Sequence, residues 1–261
     1  MATDDDHRLA ANLAHECGAM LVSLRERLIG DGAGPERLRA EGDRHAHELL
    51  MTELHAAMPD DVVLSEESPE SRTAADPERV AADRVWIVDP LDGTREYGER
   101  RRGDWAVHVA LVEQHQPTAA AVALPAQKLL LTTDPAPAAL PEAPTTPRIV
   151  VSRSRPPAWA DDLEEGLKGT LVPMGSAGAK AMMVVLGAAD VYAHSGGQWE
   201  WDSAAPIGVA RAAGLHTSRL DGSPLEYNTG VPYLPDLVIC RPELAAVTLH
   251  LLAPYAKNVA R

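Results

Sequence analysis

The sequence predicts a layered fold of α and β elements rather than a regular doubly wound sheet. Three observations carry this reading. Two helices with apolar residues at helical spacing open the chain of 261 residues. Strand runs then follow one another with hairpin-like spacing between residues 85 and 132. After a proline-rich break, strands and helices alternate loosely to the end, without any visible internal repeat.

His7 to Ile29 reads as an amphipathic helix, with Leu9, Leu13, Cys17, Met20, Leu21, Leu24 and Leu28 on one face, and "GDGAGP" breaks it. A second helix is expected after Asp43, through "RHAHELLMTELHAAM", stopped by Pro59 and two aspartates. "VVL" is a short strand that runs into "SEES". "VWIV" is the next, followed by "WAVHVALV", "AAAVAL" and "LLLT". Asp134 to Pro147 holds five prolines and no periodicity, and is the best boundary candidate. Beyond it we expect strands at "RIVVS", "TLVPM", "ADVYAH" and "DLVIC". Helices are expected at Ala158–Leu167, at Ala179–Leu186, from Asp202 in "WDSAAPIGVARAAG" and from Pro242.

The composition is 45% apolar and 24% charged, ample for a buried core. Phe is absent, so Ala, Val, Leu and Met build the core, with five Trp and five Tyr as its large pieces. A net charge of −14 argues against binding a nucleic-acid polymer, which needs a basic stripe. The one dense basic run, "ERRRGD", is flanked by acids and reads as a solvated face or as a source of one phosphate-binding arginine. Cys17 and Cys240 have no metal-ligand spacing and read as buried thiols. His45, His47 and His55 share a helix but lack a third zinc ligand. The acidic N-terminus is unlike a signal peptide, and no apolar run has the length of a membrane span. A cytoplasmic protein without a membrane partner is expected.

Chemistry concentrates in "VWIVDPLDGTREY". Glu66 and Asp89 each end an apolar strand, and Asp92 follows Asp89 across a Pro-Leu turn. Pro90 fixes its own φ and keeps Asp89 extended, while Gly93 permits a tight backbone whose N–H approaches a ligand. Carboxylates aimed at one point suit Mg²⁺, and two such ions would clamp the attacking and leaving oxygens of a phosphoryl group. The Gly-Thr turn offers N–H groups to phosphate oxygens. Singly, each motif has a plain structural reading: "DPLDGT" as a turn, "SEES" as solvated acids, Asp202 as a helix N-cap. Their joint occurrence in this order favours a site.

"WIVDPLDGTREY" together with "GGQWEWDSAA" resembles the paired signatures of the inositol monophosphatase superfamily, Mg²⁺-dependent and lithium-sensitive phosphatases, and "LSEES" fits the motif that precedes them. Asp43 precedes Glu66 by 23 residues, and Glu66 precedes Asp89 by the same number. The resemblance covers nearly the whole chain. Arg-Glu-aromatic after Thr94, "RGDWAVHVALVE" and "GSAGAKAM" resemble the bisphosphate nucleotidase branch in its actinobacterial form. The resemblance implies an α+β fold, a layered αβαβα sandwich. Residues 1–133 would form an N-terminal half carrying the metal motifs, 134–147 a connecting loop, and 148–261 a C-terminal half with Asp202 and the substrate contacts.

The same resemblance implies site roles. Glu66, Asp89 and the Leu91 carbonyl would hold one Mg²⁺, Asp89, Asp92 and Asp202 a second, and Glu66 with waters a weaker third. Asp43 paired with Thr94 would activate the attacking water, and Asp92, Gly93 and Thr94 would hold the phosphate. Ser176, Lys180, His194 and Glu200 are the candidates for the rest of the substrate. Trp199 and Trp201 either stack on a base or fill the core. The implied reaction is hydrolysis of the 3′-phosphate of adenosine 3′,5′-bisphosphate in sulfate assimilation, the reading the local motifs favour; the alternatives are a broad phosphatase of inositol 1-phosphate or fructose 1,6-bisphosphate, and a non-catalytic metal-dependent binding protein. A homodimer is the implied assembly.

Overall fold

The computed structural model describes residues 1–69, 71 and 76–256; the last five residues of the expected C-terminal half lie outside them. Helix α1 (Asp4–Gly30) opens with a reciprocal cap between Thr3 and Asp6, and three aspartates in its first turn complement the helix dipole. Helix α2 (Pro35–Ala57) starts at Pro35, eight residues before Asp43, where the sequence reading placed its beginning. Gly42 does not break it. A Cβ there would lie 2.7 Å from Tyr97 Cε1 and 2.8 Å from Leu91 Cδ2, so bare helix backbone packs directly on those side chains. That contact outweighs the roughly 1 kcal/mol cost of a helical glycine. Asp43 therefore sits in the middle of α2, facing the motif.

The first sheet has the strand order of the sequence: β1 (Val62–Ser65), β2 (Arg84–Asp92), β3 (Ala106–Glu113), β4 (Gln116–Leu124) and β5 (Leu129–Thr132). β1 runs parallel to β2, and the later pairs are antiparallel, as short connections require. Two five-residue helices, α3 (Pro77–Ala81) and α4 (Thr94–Gly98), flank β2. The second sheet is built from β6 (Arg148–Ser152), β7 (Thr170–Met174), β8 (Val191–Trp199), β9 (His216–Ser218) and β10 (Tyr233–Cys240), ordered β7-β6-β8-β10-β9. Between and after these strands come α5 (Ala160–Leu167), α6 (Ala177–Val185), α7 (Ala204–Ala212) and α8 (Ala245–Ala256). The proline-rich 134–147 stretch joins β5 to β6 with neither helix nor strand.

Period-two alternation assigns each strand residue to a layer. Trp86, Val88, Val107, Val109 and Leu111 face α1 and α2, whereas Val85, Ile87, Ala110 and Val112 face α6 and α7. In the second sheet Tyr192, Leu237 and Ile239 face those same two helices, and Val191, Val238 and Cys240 face α5 and α8. The result is the expected αβαβα sandwich. Of the middle helices, α7 is buried from Ala204 through Ala210, apolar on every side as suits a helix between two sheets. Small residues let it approach closely, since a Cβ on Gly208 would lie 2.9 Å from that of Ala120. Cys17 and Cys240 are buried free thiols. Among the described residues, no helix is long and apolar enough to cross a membrane.

The second sheet is stapled by a buried carboxylate. Asp190, fully buried, accepts from the Arg148 backbone at 2.8 Å, from Arg148 Nε at 3.0 Å and from Arg241 Nε at 2.7 Å. It thus joins the start of β6, the approach to β8 and the end of β10. Burial alone would raise its pKa, but the Arg148 bonds and then the Arg241 bond hold it below the ordinary 3.8. The folded state therefore binds fewer protons than the unfolded one, so this contribution is present above about pH 4 and fades as the pH falls further. Asp190→Ala leaves Arg241 buried without its partner and should lower the unfolding free energy by about 3–5 kcal/mol in urea titrations at pH 7; a loss under about 1 kcal/mol would show that the staple is not structural.

Candidate active site

The site begins with an irregularity in β2. The strand does not stop at Val88 but continues through Asp-Pro-Leu-Asp to Asp92. Asp89 pairs with His108 and Asp92 with Ala106, so three steps along β2 match two along β3. In a regular strand, residues three apart face opposite sides. The extra residue of the bulge turns Asp89 and Asp92 to the same side. Pro90 is tolerated because a bulge leaves its position outside the ladder. Gly93 follows with φ +85°, and a Cβ there would lie 2.9 Å from Ser176 Cβ. Glycine is required both for that backbone conformation and for the close approach of α6.

The third carboxylate comes from the second sheet. Asp202 ends a short 3₁₀ turn after β8 and accepts from the Trp199 N–H at 2.8 Å. It folds back on its own turn rather than capping α7, whose first residue follows Ser203. Oxygen atoms of Asp89, Asp92 and Asp202 all lie within 4.8 Å of one another, and among the described residues this is the one group of three His, Cys, Asp or Glu side chains so arranged.

The electrostatics are those of a crowded anionic centre. Burial, then the neighbouring carboxylates of Glu66, Asp92 and Asp202, push the Asp89 pKa well above the usual range. Its Oδ1 accepts from Leu91 N at 3.1 Å, while its buried Oδ2 receives no hydrogen bond from the described residues. Burial and the Asp92 charge push Asp202 up to about 6. Asp92 goes the other way. Burial would raise it, but contacts with His108 and Ser176 hold it at about 2. Its carboxylate accepts from Ser176 Oγ at 2.5 Å, Gly178 N at 2.6 Å and Ala177 N at 3.1 Å, at the start of α6. Hard carboxylate oxygens, one of them buried without a donor, fit a divalent cation of the Mg²⁺ type.

Beside this cluster Thr94 Oγ1 lies 3.2 Å from Asp43 Oδ1 and 3.0 Å from the Leu91 carbonyl. Burial, then the Glu67 charge, push Asp43 up to about 7. Glu66 stands at the end of β1, its N–H bonded to Val88 O at 3.3 Å.

Asp92 and Asp202 form part of the lining of a cavity of about 810 Å³ between the two sheets. Of the sequence-predicted substrate residues, Gly93, Ser176, Lys180 and His194 line it. Their settings differ. The Ser176 hydroxyl is committed to Asp92 and to Ala179 N, and its backbone takes φ +50°. Lys180 is not a solvated helix lysine: it is buried, with Nζ 2.6 Å from Ser176 O and 5.3 Å from the Tyr192 ring centre. His194 is bonded within its own turn, Nε2 donating to the Gly197 carbonyl at 2.9 Å. Glu200 does not line the cavity; it is buried against the Asn228 N–H, 3.0 Å away. The stretch Arg100–Arg102 does not line it either. Trp201 is buried and stacked on Trp199 at 5.2 Å, which settles it in the core, while Trp199 reaches the cavity beside Tyr233. The sequence reading missed Arg95, Arg155, Tyr192 and Tyr233 in the lining, and His108 beneath it. Of these only His108 carried a local signal, being the polar residue on an otherwise apolar strand face.

The 3′-phosphoadenosine 5′-phosphate phosphatase of Mycobacterium leprae is 48% identical over 259 residues, covering 95% of this chain and 93% of that protein. The protein of the same name from Mycobacterium tuberculosis is 49% identical over 249 residues, covering 91% and 90%. Among solved structures, inositol monophosphatase II of Staphylococcus aureus shares the fold, with a TM-score of 0.77 at 18% identity over 97% of both chains. The description "Inositol monophosphatase family" matches residues 7–257, and the chain belongs to that family.

Proposed function

We propose that this chain is a Mg²⁺-dependent phosphomonoesterase that removes the 3′-phosphate of adenosine 3′,5′-bisphosphate to leave AMP. The observation that carries the reading is the cluster of Asp89, Asp92 and Asp202 at the edge of a cavity whose lining also includes a buried lysine. The two mycobacterial relatives, matched over at least nine tenths of the chain, support the nucleotide as substrate.

Glu66, Asp89, the Leu91 carbonyl, Asp92 and Asp202 would hold two or three ions, which supply Lewis acidity that makes water more acidic and offsets charge on the phosphoryl group. The remaining work falls to the chain itself. The single Thr94 hydroxyl proton points to Asp43 or to the Leu91 carbonyl, so Oγ1 offers its lone pairs to the attacking water. Asp43, with a pKa near 7, accepts the proton that Thr94 relays. The Gly93 and Thr94 N–H groups hold phosphate oxygens at the sharp turn. Ser176 keeps Asp92 in place, and Lys180, with His194 nearby, meets the second phosphate of the substrate.

Phosphate release with Mg²⁺ from adenosine 3′,5′-bisphosphate, inositol 1-phosphate and fructose 1,6-bisphosphate should give a kcat/KM favouring the nucleotide by about 100-fold or more. Comparable values on the sugars would replace this reading with that of a general sugar phosphatase. Asp202→Asn keeps an oxygen for the Trp199 N–H and removes a charge from a repulsive cluster. It should leave the Tm of metal-free protein at or above wild type, yet lower kcat/KM by more than the roughly 10–100-fold typical of residues behind a metal ligand. Near-normal activity in Asp202→Asn would sink the metal assignment.

A further inference from the structure

We infer that His108 is a positioning residue, which holds the Asp92 carboxylate against the segments bearing Asp89 and Asp202 at the spacing a divalent cation needs; the inference rests on the metal-site reading above. His108 lies in the middle of β3 and is fully buried. Its neighbours on the same strand face, Ala106, Ala110 and Val112, are apolar. A buried imidazole among them costs free energy unless both ring nitrogens are used.

Both face acceptors, and each belongs to a segment of the cluster. Nδ1 is 3.0 Å from the Trp201 carbonyl, the residue immediately before Asp202. A carbonyl only accepts, so Nδ1 carries a hydrogen. Nε2 lies against Asp92 Oδ2 at 3.4 Å, in contact but without a well-formed hydrogen bond, and has no other described partner. The backbone of His108 is the ladder partner of Asp89. One residue thus touches all three carboxylate-bearing segments.

The ring is also trapped. A Cβ on Gly178 would lie 1.9 Å from Nε2, so the imidazole rests on the bare backbone of the first turn of α6, whose N–H groups hold the same Asp92. A ring that cannot turn transmits the position of β3 to Asp92 on one side and to the Asp202 turn on the other. A cation–cation repulsion would act in the opposite sense, weakening metal binding, so the two effects are separable by experiment.

The probe is Mn²⁺, titrated calorimetrically into the chelator-stripped full chain, with the Tm of the metal-free protein measured alongside. Wild type should bind Mn²⁺; if it does not, the metal reading fails and takes this inference with it. His108→Phe, which keeps the volume and removes both polar contacts, should bind Mn²⁺ about 10–100-fold more weakly while still folded. His108→Gln retains one donor and should fall between. A folded His108→Phe with wild-type or tighter Mn²⁺ affinity, whatever its Tm, would overturn the inference, because a merely structural role moves the Tm and not the affinity. If His108→Phe does not fold, His108→Gln decides by the same measure: weaker binding supports the positioning role, and equal or tighter binding overturns it.

Discussion

Asp92 joins the first sheet to the middle-layer helix α6 through a carboxylate. It belongs to β2, yet its donors come from a segment more than 80 residues on: Ser176 Oγ and the first N–H groups of α6. Without that joint, the bulge in β2 would present two acids to solvent and Asp202 would have no fixed distance from them. With it, like charges from separate parts of the chain are held within 4.8 Å. Mutual repulsion at that distance is costly in a buried setting, as the raised pKa values of Asp89 and Asp202 register. Asp92 escapes the same fate because contacts with His108 and Ser176, helped by the Lys180 charge, outweigh burial.

The joint also stores backbone strain. Ser176 holds φ +50° and ψ 134°, a combination that an L-residue adopts at a cost of about 1–3 kcal/mol. Three hydrogen bonds keep it there: its hydroxyl to Asp92, the Ala179 N–H to the same hydroxyl, and Lys180 Nζ to its carbonyl. Gly93, directly opposite, gives α6 the room to come this close. The strained residue, the left-handed glycine and the buried lysine are parts of one device that brings the start of α6 onto the end of β2.

The layered architecture and the acidic motif were legible in the sequence because they depend on local pattern. Apolar strand runs, Pro-Gly punctuation and the carboxylates of Glu66 and Asp89 at strand ends are read directly, whereas the burial of β3 on both faces is not. What was not legible depends on contacts between distant segments. The start of α2 was placed after Asp43, whereas the helix begins at Pro35 and runs through Gly42, on whose bare backbone Tyr97 and Leu91 pack. Asp202 reads as a cap until its side chain turns back to Trp199. Glu200 reads as a cavity residue by its nearness to Asp202, yet the 3₁₀ turn sends it toward Asn228 instead. Ser176 and Lys180 were found, but their engagement with Asp92 and with each other was not, because nothing local announces a partner 84 residues away.

Charge distribution supplies the remaining argument for a small substrate. A chain of net charge −14 repels polyanions over most of its surface. Lys180, Arg95 and Arg155 all line the same cavity as Asp92 and Asp202. A cavity whose lining holds both acids and cations suits a small ligand with more than one phosphate. Burying Lys180 costs enough to lower its pKa against the pull of four nearby carboxylates, and its bond to the Ser176 carbonyl gives that burial a structural task. Arg95 and Arg155 are then the cations of the lining that a second phosphate would engage and a monophosphate would leave unused.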